Sequence, residues 1–424
     1  MESGFDTIRR LAHGKPVAVF GAGVSGKAVE RLANKAGLDC VLYAENGGAV
    51  FDSSAAQKHA LAVYSPAFRP DNKWIAAAQN AGCKCVCEPD FAALLCEGKI
   101  IAITGTNGKT TITRFLEKAL CDCGIDAVAA GNVGTPLSQI YADGGTRKTV
   151  VCELSSFQTM RLEYLRPDAL IWTNFDADHL DWHKDLREYF LAKFNLVAAL
   201  KSEVFIAGSS VESNAEKFGI NLPPFARIFD ESKSYPAPAP FSSAMQSRNY
   251  RAVEMLWEAL GLDEKALENS AKTFAVPKFR FSSPKSVGGV RFFNDSKATN
   301  VHAAVAALRE MKGEKNLVWL GGGKDKNCDL RELADTVAQT CKAAVLIGQT
   351  AEKLAALLSQ RNIPCSMEAD MQSAAARCFE LAGESGAVLF SPAFSSFGMF
   401  AGYADRGKCF DEAVLCLKNS KEVK

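Results

Sequence analysis

The sequence predicts an α/β protein whose 424 residues divide into three successive units, each built on a parallel or mostly parallel sheet. Three observations predict this. Short apolar runs alternate with helical stretches along the whole chain. Two of those runs end in glycine-bounded turns that open helices, one at Gly21 and one at Gly105. Strand after strand also delivers polar residues at its C-terminal end, where open α/β sheets place ligands. The units expected are 1–87, 88–276 and 277–424.

In the first unit, 16–20 reads as a strand. Gly21-Ala22-Gly23-Val24-Ser25-Gly26 follows, then a helix from Lys27 to Ala36 and a second strand, 40–43, ending near Glu45. A GxGxxG turn with an acidic residue about twenty positions on is the dinucleotide fingerprint. Read alone it suits NAD, although any nucleotide diphosphate would satisfy a glycine loop on a helix N-terminus. Tyr64-Ser65-Pro66-Ala67 reads as a turn leaving a strand at the same sheet edge. Cys83, Cys85 and Cys87 alternate along one more strand, and Pro89-Asp90 begins the connection to the second unit.

The second unit opens on 99–104, a buried strand, and then Gly105-Thr106-Asn107-Gly108-Lys109-Thr110-Thr111, with a helix over 111–121. The two glycines allow close backbone approach to a ligand, and the helix adds its positive end. Lys109 supplies a point charge for terminal phosphates, and the Thr110 hydroxyl can ligate Mg²⁺. The strict pattern would place glycine at 103, which is Ile103, so the loop is shortened. A nucleoside triphosphate near residue 108 is expected. Further strands are 127–130, 149–154 and 169–172, the last leading to Asp176, Asp178, His179 and Asp181. Pro236 to Pro240 reads as an exposed connector, and Asn249 as opening an amphipathic helix. In the third unit, 290–293 ends in Asn294-Asp295-Ser296-Lys297-Ala298-Thr299-Asn300. Strands 317–320, 343–347 and 387–390 follow, the last ending in Ser391-Pro392-Ala393.

Composition bounds the function. Hydrophobic residues make up 48% and charged residues 23%, as in a globular domain. Lys plus Arg is 49 against 48 for Asp plus Glu, a formal net charge of +1, which supports neither a nucleic-acid nor a membrane-surface partner. No apolar run is long enough to span a bilayer, and the first fifteen residues lack the apolar core of a signal peptide. A cytoplasmic protein with small-molecule partners is expected, and nothing suggests more than a monomer. The 14 cysteines include no CxxC and read as reduced, buried small hydrophobes rather than a zinc site.

Several side chains carry chemistry. Glu153 ends a strand where an acidic residue would hold Mg²⁺, or else is a solvated loop carboxylate. His179 and His183 are two of only five histidines. Their oxygen-rich surroundings suit Mg²⁺ or Mn²⁺ better than zinc. His179 is expected to orient a metal or phosphate, and His183 to be solvated. Lys193 lies on a largely apolar helix. Desolvation there would favour a neutral amine able to form a carbamate with CO₂, whereas a snorkelling surface lysine is the plainer alternative. Lys297 is placed by a strand end.

Taken together, Gly105 to Thr111, Glu153-Leu154-Ser155-Ser156-Phe157-Gln158, Asp178-His179-Leu180-Asp181, Asn294 to Asn300 and Ser391-Pro392-Ala393 resemble the Mur ligases, the ATP-dependent amide-forming enzymes of peptidoglycan synthesis. The resemblance runs the whole length. It implies a Rossmann-like N-terminal domain for a UDP-substrate, a central P-loop ATPase domain and a C-terminal Rossmann-like domain that receives an amino acid. The Asn294–Asn300 motif resembles that of the members that add D-glutamate to UDP-N-acetylmuramoyl-L-alanine through an acyl phosphate. Sister ligases are expected to carry histidine- or tyrosine-containing motifs there.

The resemblance further implies that the first glycine loop takes UDP rather than NAD. Val24, Ser25, Glu45, Ala67 and Asn132 would contact the UDP-sugar, and Gly105 to Thr111, Asn249, Arg280 and Asp295 would hold ATP. Thr110 and Glu153 would hold one Mg²⁺, and His179 and an N6-carboxylated Lys193 a second. Lys297, Thr299, Lys326, Ser396 and Tyr403 would approach D-glutamate or the reacting centre. Phe279 stands before Arg280 where the family often has histidine, Ala252 where a second asparagine is usual, and Gly398 where aspartate is expected.

Overall fold

A computed structural model of the chain describes residues 3–44, 49–69, 71–132, 134–180, 182–281, 284–325 and 328–422. Glu45, Asp181 and Lys326 lie outside them. The strands form three sheets. The first contains β1 (Val17–Phe20), β2 (Cys40–Tyr43), β3 (Leu61–Tyr64) and β4 (Lys84–Cys87), in the order β2-β1-β3-β4. The second contains β5 (Ile100–Thr104), β6 (Ala127–Gly131), β7 (Thr149–Glu153), β8 (Ala169–Trp172), β9 (Phe205–Gly208) and β10 (Ala226–Phe229). Their order is β10-β9-β8-β5-β7-β6. The third contains β11 (Lys285–Val287), β12 (Val290–Asn294), β13 (Leu317–Gly322), β14 (Ala343–Ile347), β15 (Cys365–Glu368) and β16 (Ala387–Phe390), ordered β11-β12-β16-β13-β14-β15. Every pairing is parallel except β11 with β12.

Parallel strands covered on both faces read as nearly continuous apolar runs. All residues of β1, β5, β14 and β16 are buried. The chain divides into two compact units. One holds the first two sheets, Met1–Phe175, Trp182–Ser242 and Gln246–Phe274. The other holds the third sheet, Ala275–Lys424, together with Asp176–Asp181 and Ser243–Met245. In the first unit one core runs from the helix Val24–Lys35 through β5 and β7 to the helix Leu186–Ala198. In the second, separate apolar clusters cover the two faces of the third sheet.

The sheets position their ligand edges by strand order. In the first sheet β1 lies between β2 and β3, so the chain reverses direction across the sheet at β1, and the crevice there lies beside Gly21. The glycine spacing has a steric reason. A Cβ on Gly26 would sit 1.7 Å from the Gly21 carbonyl oxygen, so the helix can start that close to the strand only with glycine.

Some local expectations change. Pro89 and Asp90, where the connection to the second unit begins, lie in a helix, Glu88–Ala93. The phosphate-loop helix starts at Lys109, two residues earlier than expected, and the first-loop helix at Val24. Asn249 does not open its helix but lies inside Ala244–Ala259. Strands β9, β10, β11 and β15 were not expected. Of these, β10 and β15 each have a single strand neighbour and are half exposed, so neither shows a continuous apolar run. β11 pairs back on β12 across Gly288-Gly289, whose φ angles of 54° and 82° suit a two-residue hairpin.

Asp90 ties the helix Glu88–Ala93 to the segment that leads into β8. Its buried carboxylate accepts from the backbone N–H groups of Glu163 at 3.0 Å, Tyr164 at 2.8 Å and Leu165 at 2.7 Å. Burial raises its pKa, with the three amides opposing. Asp90→Ala strands those donors and should lower stability by roughly 3 kcal/mol, measured by urea unfolding. A loss below about 0.5 kcal/mol would show that water replaces the carboxylate freely.

Candidate active site

The best-defined polar constellation sits at the C-terminal ends of β5, β7 and β8. Between Thr104 and Lys109 the chain turns through Gly105 at φ 140° and Gly108 at φ 83°. Neither site has room for a side chain. A Cβ on Gly105 would lie 1.9 Å from Thr173 Oγ1, and one on Gly108 would lie 2.4 Å from Asn249 Oδ1. The loop is braced from β8. Thr173 Oγ1 donates to the Asn107 carbonyl at 2.6 Å, Asn107 N–H donates to Asn174 Oδ1 at 2.8 Å, and Thr106 N–H donates to the Asn174 carbonyl at 3.1 Å. Lys109 Nζ folds over the loop and donates to the carbonyls of Gly105 and Thr106, both at 2.8 Å.

Glu153, at the end of β7, is buried and not a solvated carboxylate. Thr110 Oγ1 donates to its Oε2 at 2.8 Å, and Asn132 Nδ2 donates to its Oε1 at 2.9 Å. The structure thus brings Thr110 and Glu153 together and places Asn132 beside them. A hydroxyl and a carboxylate are hard oxygen donors and fit Mg²⁺. Among the described residues no three His, Cys, Asp or Glu side chains converge on one point. Such a site suits an ion that completes its shell with phosphate oxygens and water.

Lys193 is buried at 1% exposure, which removes the snorkelling alternative. Its Nζ donates to the Gly105 carbonyl at 3.0 Å and to Thr104 Oγ1 at 3.3 Å, and lies 4.9 Å from the Tyr189 ring centroid. The helix Leu186–Ala198 therefore delivers an amine to the base of the phosphate loop. His183 corrects the expectation of a solvated side chain. It is 2% exposed, and its Nε2 lies 2.8 Å from Ser156 Oγ. Phe157, Trp182 and Tyr189 pack around it. Burial is the main reason its pKa falls, to about 4. The aromatic neighbours were visible in the sequence, but their convergence was not.

At the first glycine loop Val24 and Ala67 are exposed, while Ser25 is half-buried. Gly21, at φ 103°, has Ser65 Cβ and the Phe68 ring within 3.3 Å of where its Cβ would be. The loop and the turn after β3 therefore form one crevice. Asn249 is buried in its helix and its Nδ2 donates to Gln246 Oε1 at 3.0 Å. Ala252, where the family pattern has asparagine, is fully buried.

In the second unit, Asp295 follows β12 and is buried. Its Oδ2 accepts from Ser391 Oγ at 2.9 Å and its Oδ1 from Phe281 N–H at 3.1 Å. Half-buried Arg280 lies between Phe279 at φ 64° and Phe281 at φ 52°. Left-handed backbone at two bulky residues is strained and persists only where surroundings over-determine it. Here the Lys297 N–H bonds the Phe279 carbonyl at 3.0 Å, and Asp295 accepts from Phe281.

Lys297 Nζ lies 4.0 Å from the Tyr403 ring centroid, which brings those two expected residues together. Thr299 is half-buried and Ser396 is buried. His179 stands at φ 56° in the segment grouped with the second unit, whereas Lys193 stands in the first.

Sequence reasoning missed Arg406. It is 1% exposed and donates to the Ser296 carbonyl at 2.8 Å, Ser296 Oγ at 3.1 Å and the Phe394 carbonyl at 2.9 Å. It thus joins the loop after β12 to the loop after β16. Burial lowers its pKa to about 10, against the opposing charge of Asp295. No sequence pattern marked it, because an arginine in a helix rich in charged residues reads as solvated.

Residues 103–221 match the Mur ligase middle domain, and residues 280–394 match the Mur ligase glutamate ligase domain. A UDP-N-acetylmuramoylalanine–D-glutamate ligase of Leuconostoc mesenteroides is 27% identical over 96% of this chain and 98% of its own length. One of Streptococcus pneumoniae is 28% identical over 95% and 98%. Among solved structures, the UDP-N-acetylmuramate–alanine ligase of Thermotoga maritima has a TM-score of 0.61 at 16% identity, covering 95% of this chain and 99% of that one. MurF ligase of Thermotoga maritima, solved with ADP, has a TM-score of 0.60 at 14% identity, covering 88% and 98%. These two share the fold.

Burial raises the Asp295 carboxyl to about 7, against the lowering hydrogen bonds from Ser391 and Phe281 and the charges of Arg280 and Arg406. Its folded pKa thus lies above the unfolded value of about 3.9. Between these the folded chain holds a proton that the unfolded chain has lost, so this group's contribution to stability falls as pH rises from about 4 to 7. Urea unfolding across that range should show the fall, and Asp295→Asn should flatten it. Parallel pH profiles for the two proteins would contradict a raised Asp295.

Proposed function

The chain belongs to the Mur ligase family, and we propose that it is an ATP-dependent ligase that joins D-glutamate to UDP-N-acetylmuramoyl-L-alanine in peptidoglycan precursor synthesis. The observation that carries the chemistry is the phosphate loop, with Lys109 over it and Thr110 bonded to buried Glu153. The choice of amino acid rests on the D-glutamate ligases that resemble this chain along 95–96% of its length.

The reaction needs activation because a carboxylate would have to expel oxide. Transfer of the γ-phosphoryl group of ATP to the substrate carboxylate makes inorganic phosphate the leaving group. In this reading the amides of Gly105 to Thr111 and the Lys109 ammonium orient the β- and γ-phosphates and offset developing negative charge. Lys109 exchanges its present carbonyl acceptors for phosphate oxygens. Asn249, Arg280 and Asp295 meet the adenosine end, and Val24, Ser25, Glu45, Ala67 and Asn132 meet the UDP-sugar. Thr299, Lys326, Ser396 and Tyr403 orient D-glutamate, and Lys297 acts at the reacting centre. Its amine attacks the acyl carbon, loses a proton and displaces phosphate as the amide forms.

Two Mg²⁺ ions, one held by Thr110 and Glu153 and one by His179 and carboxylated Lys193, would supply further charge neutralisation at the phosphoryl oxygens. Lys193 becomes a ligand when its neutral amine adds to CO₂, forming an N–C bond and releasing a proton. The anionic carbamate oxygen then replaces a cation that would repel the metal. Burial of Lys193 beside the Gly105 carbonyl supports that assignment. We further assign residues 1–87, 88–276 and 277–424 to UDP-substrate, ATP and amino-acid domains, of a monomer working in the cytoplasm where ATP is available.

ADP release with UDP-N-acetylmuramoyl-L-alanine should depend on D-glutamate and not on L-glutamate or L-alanine. Turnover driven by L-alanine would overturn the assignment. Lys193→Ala should lose roughly 100-fold or more in kcat and recover partly with added formate or acetate, because an anionic oxygen is what the site lacks. Full activity without additive would remove the carbamate.

A further inference from the structure

The segment Asp176–Asp181 leaves β8 and returns to the helix Leu186–Ala198, yet it is grouped with the third sheet's unit. Two of its contacts run to the helix that follows β12. His302 Nε2 lies 2.9 Å from Asp176 Oδ2. Asn300 Nδ2 donates to Asp178 Oδ2 at 2.8 Å, with both side chains buried. Both partners sit at the start of the helix Val301–Glu310, which directly follows the Asn294–Asn300 turn. Asn300 is also that helix's N-cap, since its Oδ1 accepts from Ala303 N–H at 2.8 Å. One amide side chain thus fixes the helix start with its oxygen and the loop with its nitrogen.

The loop's own geometry needs such a hold. His179 has φ 56°, which costs an L-residue free energy unless other contacts impose it. Asp178 Oδ1 accepts from the His179 N–H at 2.8 Å and so sets that conformation, while Asn300 fixes Asp178. Asp176 Oδ1 accepts from the Ala177 N–H at 2.7 Å while His302 fixes its other oxygen. Each carboxylate links one loop amide to one residue of the helix start.

We infer that Asn300 and His302 are positioning residues for His179, so that the helix following the Asn294–Asn300 turn sets where this histidine's side chain points. This rests on the reading of His179 as a metal ligand. Groups that orient a ligand from outside the coordination shell affect metal affinity by roughly 10–100-fold when removed. A further consequence is that the turn proposed to meet D-glutamate and the histidine proposed to meet the metal share one helix start.

The test uses the full-length protein with Mn²⁺ and a non-hydrolysable ATP analogue, read by electron paramagnetic resonance. Hydrogen exchange of residues 176–180 is measured on the same samples. Asn300→Ser keeps a cap acceptor for the helix but cannot reach Asp178. It should weaken the affected Mn²⁺ site roughly 10-fold and speed exchange of the His179 amide, leaving the KM for ATP unchanged. His302→Ala should act in the same direction, and His302→Gln, which can still donate to Asp176, should restore it. His179→Ala is the control. If it leaves Mn²⁺ binding unchanged, the metal reading fails and the inference falls with it. If it lowers binding while Asn300→Ser and His302→Ala leave both binding and exchange at wild-type values, the positioning role alone is overturned.

Discussion

Everything at the site depends on how closely the backbone between Thr104 and Lys109 approaches its neighbours. Gly105 has Thr173 Oγ1 where a side chain would begin, and Gly108 has the Asn249 amide there. That crowding makes glycine obligatory, and it lets β8 brace the loop through Thr173 and Asn174. In the proposed reaction, a loop held this way would present its amides without reorganising as charge develops on the phosphoryl group, which is where preorganised dipoles contribute most. Thr110 and Glu153 extend the same rigid frame to the end of β7, and Lys193 extends it to the helix Leu186–Ala198.

The third sheet solves a different problem with related means. Its loops after β12 and β16 carry polar residues that must stay ordered while buried. Asp295 bridges them by accepting from Ser391, and Arg406 bridges them by donating to Ser296 and Phe394. The two side chains are of opposite charge, and each moderates the cost of burying the other. The left-handed residues Phe279 and Phe281 are held by the same loop. A phenylalanine at 279 is thus structural here, packed where a Cβ on Gly407 would meet its ring.

Much of this was legible in the residues. The glycine turns and apolar runs located the strands that matter, because a parallel sheet buried on both faces leaves a continuous apolar record. Glu153 and Asp295 were placed by strand ends and Thr110 by the glycine-loop pattern; the structure ends β7 at Glu153, sets Asp295 just after β12 and bonds Thr110 to Glu153. What stayed hidden depends on contacts distant in sequence. The burial of His183 arises from Ser156 and three aromatic residues meeting around it, which spacing alone does not reveal. Arg406 bonds Ser296, 110 positions away. The half-exposed strands β10 and β15 lacked a continuous apolar run. The grouping of Asp176–Asp181 with the third sheet's unit runs against chain order altogether.

The central claim is that ATP is used to turn the substrate carboxylate into an acyl phosphate before the amine arrives. Labelling both oxygens of that carboxylate with ¹⁸O and analysing the released inorganic phosphate by mass spectrometry tests it directly. The expected result is one ¹⁸O per phosphate formed, with the other retained in the amide carbonyl. Phosphate without label, formed at the same rate as product, would contradict it.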